Sequence, residues 1–143
     1  MEINIKTLQV TEVEVAVSID TAHIPPVQEQ QSVHVLQQVT VIEIEGELNY
    51  NTAALVEAKV LPLAQPKAKL LLDMSKVPYL SSAGLRLLLS LYRQVVSNNG
   101  QIVLVGIVEE IKETMSITGF LNFFMSRDTH DAGLEALNVK LAV

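Results

Sequence analysis

From Leu70 to Val105 the chain runs as an apolar segment, a helix-period segment and a second apolar segment, and this alternation constrains the fold most. Lys69–Asp73 carries apolar residues on consecutive positions, as a strand covered on both faces requires. Between Ala83 and Ser97, Leu85, Leu88, Leu89, Tyr92, Val95 and Val96 recur on one helical face, opposite Arg86, Ser90, Arg93 and Ser97. Asn98, Asn99 and Gly100 stop that helix, and Gln101–Val105 is a further buried strand.

The flanking segments extend the pattern. Val33–Leu36 and Val39–Glu45 read as two antiparallel strands joined tightly through Gln37 and Gln38. Asn51 or Thr52 caps a helix that runs to about Leu61 and is closed by Pro62 and Pro66. Glu109–Thr118 is a helix ended by Gly119, Phe123–Met125 a short strand and Thr129–Leu137 a last helix. The expected fold class is α/β, a mixed, largely parallel sheet of about four to five strands flanked by about four helices.

Residues 1–31 read as an N-terminal β extension and residues 32–143 as the main domain. Val13, Val15, Val17 and Ile19 alternate with polar or small residues, Ile3 and Ile5 hint at an earlier strand, and Pro25-Pro26 marks a linker. The extension either adds a strand to the sheet edge or pairs with a second copy to form a homodimer.

Composition removes several function classes. A net charge of −6, with ten scattered Lys and Arg and 4% aromatics, argues against nucleic acid as a partner. The absence of cysteine excludes disulfides and thiol chemistry. No apolar run approaches the roughly 18 residues that span a bilayer, and the N-terminus lacks a signal-peptide pattern, so no membrane insertion and a cytoplasmic location are expected. His23, His34 and His130 show no metal-ligand spacing and read as surface or capping residues, and Glu43, Glu45 and Glu47 as a solvated strand face. The glycines form no nucleotide-binding loop, so no cofactor or metal is expected.

Ser81 and Ser82 stand where the long helix begins, a place of unpaired N–H groups and partial positive charge. A serine there is a cap, a nucleophile or a carrier of phosphate. The nucleophile elbow of hydrolases needs glycines two residues to either side; Ser82 has Leu80 and Gly84, half of that motif. The chain is therefore read as a non-enzyme, with a small hydrolase the least favoured alternative.

Leu72, Asp73 and Ser75, the run Val77 to Leu85, Gly46-Glu47-Leu48 upstream and Thr118 to Leu121 downstream together resemble the STAS domain family, nearest its bacterial anti-sigma factor antagonists. The resemblance covers about Val33 to Leu137. It implies a partner-switching regulator that captures an anti-sigma factor/serine kinase and is phosphorylated at Ser82, with Ser81 the alternative acceptor and a serine phosphatase resetting it. The expected partner-binding residues are Asn49, Asp73, Leu80, Ser81, Ser82, Ala83, Gly84 and Leu87, with Leu80, Ala83 and Leu87 read as the exposed apolar and small residues of the docking surface. The family often carries acids where this chain has Asn49 and Ser81. That departure leaves open a non-phosphorylated STAS binding module, acting as a scaffold or as the soluble partner of a membrane transporter.

Overall fold

Leu70, Leu71 and Leu72 are each at most 1% exposed, so the central strand is covered on both faces as its unbroken apolar run requires. The structure is a computed structural model that describes residues 1–11, 15–16, 32–33, 36–137 and 140–141. Its strands are β1 (Glu2–Thr11), β2 (Val15–Ala16), β3 (Ser32–Val33), β4 (Leu36–Glu45), β5 (Lys69–Lys76), β6 (Gln101–Val105), β7 (Met125–Arg127) and β8 (Lys140–Leu141). Its α-helices are α1 (Tyr50–Val60), α2 (Ser82–Ser97), α3 (Glu109–Ile117) and α4 (His130–Ala136). Short 3₁₀ turns follow α1 at Leu61–Leu63 and precede β7 at Phe120–Phe123.

Six strands form one sheet in the order β7-β6-β5-β4-β1-β8, and β2 and β3 form a separate pair. Strands β4 to β7 are mutually parallel neighbours, linked in turn through α1, α2 and α3, whereas β1 is antiparallel to both β4 and β8. This is the mixed, largely parallel α/β architecture expected from the alternation of elements.

Alternating strand side chains feed two cores on opposite sheet faces. Ile42, Ile44, Leu70, Leu72, Ile102 and Leu104 meet Val56 of α1, Leu88 and Leu91 of α2, and Met115 of α3. On the other face Val39, Val41, Leu71, Val103 and Val105 meet Leu134 of α4 and Leu137. Fully burying a leucine such as Leu88 or Leu91 contributes about 1.5–3 kcal/mol, so the α2 face is held by several such terms.

Three expectations from sequence change. The tight connection at Gln37-Gln38 does not exist: β4 is continuous, and Gln37 and Gln38 pair with Val10 and Gln9 of β1. A two-residue hairpin needs residues that accept positive φ, which glutamine does not favour. Helix α1 is capped by Asn49 rather than by Asn51 or Thr52. The buried stripe of α2 is Gly84, Leu87, Leu88, Leu91 and Val95, while Val96 is 49% exposed. Gly84 packs directly on Leu48 and Leu80, and Leu87, nearly one turn on, faces inward with it at 4% exposed.

The Ile3–Ile5 segment is part of β1, which pairs with β4 along its whole length within the chain. Val13, Val17, Ile19, the Pro25-Pro26 linker, His23 and His34 lie outside the described residues.

Candidate functional site

Two loops at the carboxyl end of the parallel strands are laced together by backbone hydrogen bonds. The Gly46 N–H donates to the Lys76 carbonyl at 3.0 Å, Leu48 to Tyr79 at 2.9 Å and Ser81 to Leu48 at 2.9 Å. Leu48 and Leu80 form a parallel bridge. The lacing sets the starts of α1 and α2 side by side, at the edge of the sheet where ligands of open α/β folds gather.

Each helix start is capped. Asn49 Oδ1 accepts from the N–H groups of Asn51 at 2.9 Å and Thr52 at 3.1 Å, and Thr52 Oγ1 accepts from Asn49 N–H at 2.9 Å, closing a capping box. Asparagine thus does here the capping that an aspartate would also do. Ser81 Oγ accepts from Gly84 N–H at 3.3 Å and is the N-cap of α2. Ser82 is the first helical residue; it is exposed, and its hydroxyl bonds to none of the described residues. The adjacent serines therefore differ, one engaged with the backbone and one open to solvent.

Gly84 permits this geometry. A Cβ there would meet Leu80 Cδ1 at 2.6 Å and the Leu48 carbonyl oxygen at 2.7 Å. Only a residue without a side chain lets the first turn of α2 rest on the Leu48–Leu80 bridge. Around Ser82 the surface is formed by half-buried Leu80 and Ala83, exposed Pro78 and Tyr79, and a groove that runs from Pro78, Tyr79 and Leu80 to Glu110, Ile111 and Thr114 of α3. Tyr79, 53% exposed, escaped the sequence reading, although a tyrosine in a loop beside two serines was visible there.

Asn49, Leu80, Ser81, Ser82, Ala83 and Gly84 are thus brought together, and two expected members are not. Leu87, expected on the docking surface, is 4% exposed and supports it from beneath. Asp73 follows Leu71 by two positions and so faces α4, on the side of the sheet away from α2. There its Oδ2 lies 2.6 Å from His130 Nε2, and its Oδ1 accepts from Ser75 N–H at 2.8 Å. Burial raises the Asp73 carboxyl's pKa, but bonds from the Ser75 side chain, His130 and the Ser75 N–H, with attraction to His130, outweigh burial and hold it below the usual range.

Glu43, the register partner of Asp73, completes a group of three potential metal ligands, with one donor atom from each of Glu43, Asp73 and His130 all within 4.8 Å of one another. The sequence reads His130 as a surface or capping residue; its side chain is 43% exposed, but the cap of α4 is Thr129, whose hydroxyl accepts from Ala132 N–H at 3.1 Å. The pairing links residues 57 positions apart, so no local pattern announces it. His130 is the single histidine among the described residues, and it bonds to Asp73 rather than to either serine of α2.

The sequence model of the STAS domain matches residues 24–132. The chain belongs to the STAS domain family. Among relatives of this STAS chain, BtrV of Bordetella bronchiseptica, provisionally named an anti-sigma factor antagonist, is 28% identical over 99 residues, covering 68% of this chain and 85% of its own. The anti-sigma-B factor antagonist of Bacillus subtilis is 28% identical over 78 residues, 54% of this chain and 72% of its own. The crystal structure of an anti-sigma factor antagonist from Mycobacterium paratuberculosis shares the fold, with a TM-score of 0.62, 24% identity and 94% of both chains covered. No helix among the described residues is long and apolar enough to cross a membrane.

Proposed function

We propose that this STAS domain is an anti-sigma factor antagonist of the cytoplasm, a partner-switching regulator that captures an anti-sigma factor/serine kinase and is released when Ser82 is phosphorylated. The observation that carries the reading is the state of Ser82: exposed, with no hydroxyl partner among the described residues, and at the positive end of a sixteen-residue helix. The names of the two sequence relatives support the class of partner. Ser81 is the poorer acceptor, because phosphorylating it removes the hydroxyl geometry that caps α2.

Phosphate would add about −1.5 to −2 charge at pH 7. The domain tolerates this, since the helix N-terminus favours an anion by about 0.3–1 kcal/mol when exposed. Arg86, exposed and one turn along at i+4, adds a cation on the same face. A partner lying over Ser82 does not tolerate it, because burying an unmatched dianion costs several kcal/mol. Each 1.4 kcal/mol is about tenfold in affinity, so the switch needs no refolding of the antagonist. A serine phosphatase removes the group and restores capture.

The test pairs Ser82→Ala with Ser82→Asp against the cognate kinase and ATP. Ser82→Ala should bind the kinase normally and take up no phosphate by mass spectrometry. Ser82→Asp should bind at least about tenfold more weakly, with its melting temperature little changed. Wild-type affinity in Ser82→Asp would sink the electrostatic account, and failure of a cognate kinase to modify the wild-type chain would sink the switch.

A further inference from the structure

A second group of chemistry-bearing side chains converges on the opposite sheet face. Val41, Leu71 and Val103 form one cross-strand row, and Glu43, Asp73 and Val105 form the next row on the same side. Two carboxylates therefore stand side by side on neighbouring strands, against an apolar floor in which Val41 is 3% and Val105 2% exposed. Like charges in register repel, which leaves Glu43, beside the hydrogen-bonded Asp73, as the less firmly held of the two.

Among the described residues each carboxylate has one cationic or imidazole partner, and the two differ in firmness. Lys6 Nζ reaches Glu43 at 3.8 Å, but its side chain is 64% exposed, so the pair is weak. His130 reaches Asp73 alone, with Nε2 at 2.6 Å from Oδ2. The register between β4 and β5 slips immediately beyond these residues, from Glu43–Asp73 to Glu45–Lys76, a bulge that re-aims the strand end at this place.

We propose that Glu43, Asp73 and His130 bind a divalent transition-metal ion. The imidazole distinguishes the set from an oxygen-only calcium or magnesium site, and a mixed carboxylate–imidazole set suits Zn²⁺ and its neighbours. Asp73 is pre-oriented, because Ser75 N–H holds Oδ1 at 2.8 Å and leaves Oδ2 aimed at the His130 nitrogen. Zinc bonds of about 2.0–2.2 Å place donors roughly 3.4 Å apart in a tetrahedron. Glu43, half-buried with rotamer freedom, therefore moves inward by up to about 1.4 Å, and the Asp73 Oδ2–His130 Nε2 pair opens from 2.6 Å by about 0.8 Å.

On binding, the His130–Asp73 hydrogen bond is replaced by one bond from each residue to the metal, and a proton on Nε2 leaves to solvent. Nδ1 then carries the imidazole N–H. Three protein ligands leave a coordination position open, and His130, with a side chain 43% exposed, borders solvent there. The bound ion ties the first turn of α4 to β4 and β5, independently of Ser82.

The experiment is Zn²⁺ titration of the full, chelator-stripped chain by calorimetry, with Co²⁺ as a spectroscopic probe. One ion per chain is expected, with visible Co²⁺ bands. His130→Ala and Glu43→Gln should each weaken binding by at least about tenfold, while the double variant His23→Gln/His34→Gln should keep it. Circular dichroism checks that the variants are folded, and Glu43→Gln, an isosteric change at a half-exposed position, serves if His130→Ala is not. Absence of one-to-one binding, unchanged affinity in Glu43→Gln, or loss of binding in the His23/His34 variant would each overturn the assignment.

Discussion

Helices α2 and α4 begin in the same way and end up with opposite characters. Each starts just past the carboxyl end of a parallel strand, and each has a hydroxyl N-cap, Ser81 bonding Gly84 N–H and Thr129 bonding Ala132 N–H. Each also places a glycine in its first turns where the helix meets its support, Gly84 and Gly133. They differ in the first helical residue. Ser82 points into solvent and touches no polar partner among the described residues, whereas His130 reaches into the sheet to Asp73. Backbone geometry makes both helix starts receptive to negative charge, and only α4 carries an acid of its own in the first turn, Asp131. The open one is suited to a charge that comes and goes.

The comparison is sharpened most by the glycines. Gly84→Ala should destabilise the domain by about 1–3 kcal/mol in urea unfolding, since its Cβ meets a backbone oxygen of Leu48 at 2.7 Å that cannot move freely. Gly133→Ala should cost less, about 1 kcal/mol or below. Its Cβ meets only side-chain atoms, Val105 Cγ2 at 2.7 Å and Leu71 Cδ1 at 3.0 Å, and alanine gains helix propensity. Equal costs would mean that α2 is no more tightly seated than α4.

The caps come next. Ser81→Ala and Thr129→Ala should each lose about 1 kcal/mol, the usual worth of an N-cap hydroxyl. Ser82→Ala should stay within about 0.5 kcal/mol of wild type, as a surface change away from any bond. A Ser82→Ala cost matching that of Ser81→Ala would show that the second hydroxyl is structurally engaged, and would remove the contrast between the two serines.

Much of this was legible in the chain and some was not, for reasons that lie in the range of each signal. Leu70–Leu72 and Ile102–Leu104 announce doubly covered strands because every residue, rather than every other one, must be apolar. Gly84 beside two serines marks the α2 start. The choice of cap for α1 is harder, since Asn49, Asn51 and Thr52 are all capping residues and only the extended backbone of Asn49, with φ −123° and ψ −175°, decides. Sequence alone puts Leu87 on the surface because helical spacing fixes a stripe but not its rotation, and the packed stripe begins at Gly84 and includes Leu87. The Glu43–Asp73–His130 group depends on strand register and on a helix returning to the sheet after 57 residues, and neither leaves a local trace.

A coupling energy is the most direct measure of how the two helix starts differ. In the presence of a chelator, Asp73→Asn, His130→Gln and the double variant form a thermodynamic cycle that isolates their bond. The pair is short at 2.6 Å, but the imidazole side chain is 43% exposed and water competes for it. A coupling of about 0.5–1 kcal/mol is expected, above a typical exposed ion pair's lower range and below a buried one. Ser82→Ala combined with Asp73→Asn should instead be additive, because the two side chains belong to opposite faces of the sheet and share no partner. Additivity in the Asp73–His130 cycle would show that the imidazole is held by α4 alone. Coupling between Ser82 and Asp73 would show that the two helix starts communicate through the sheet.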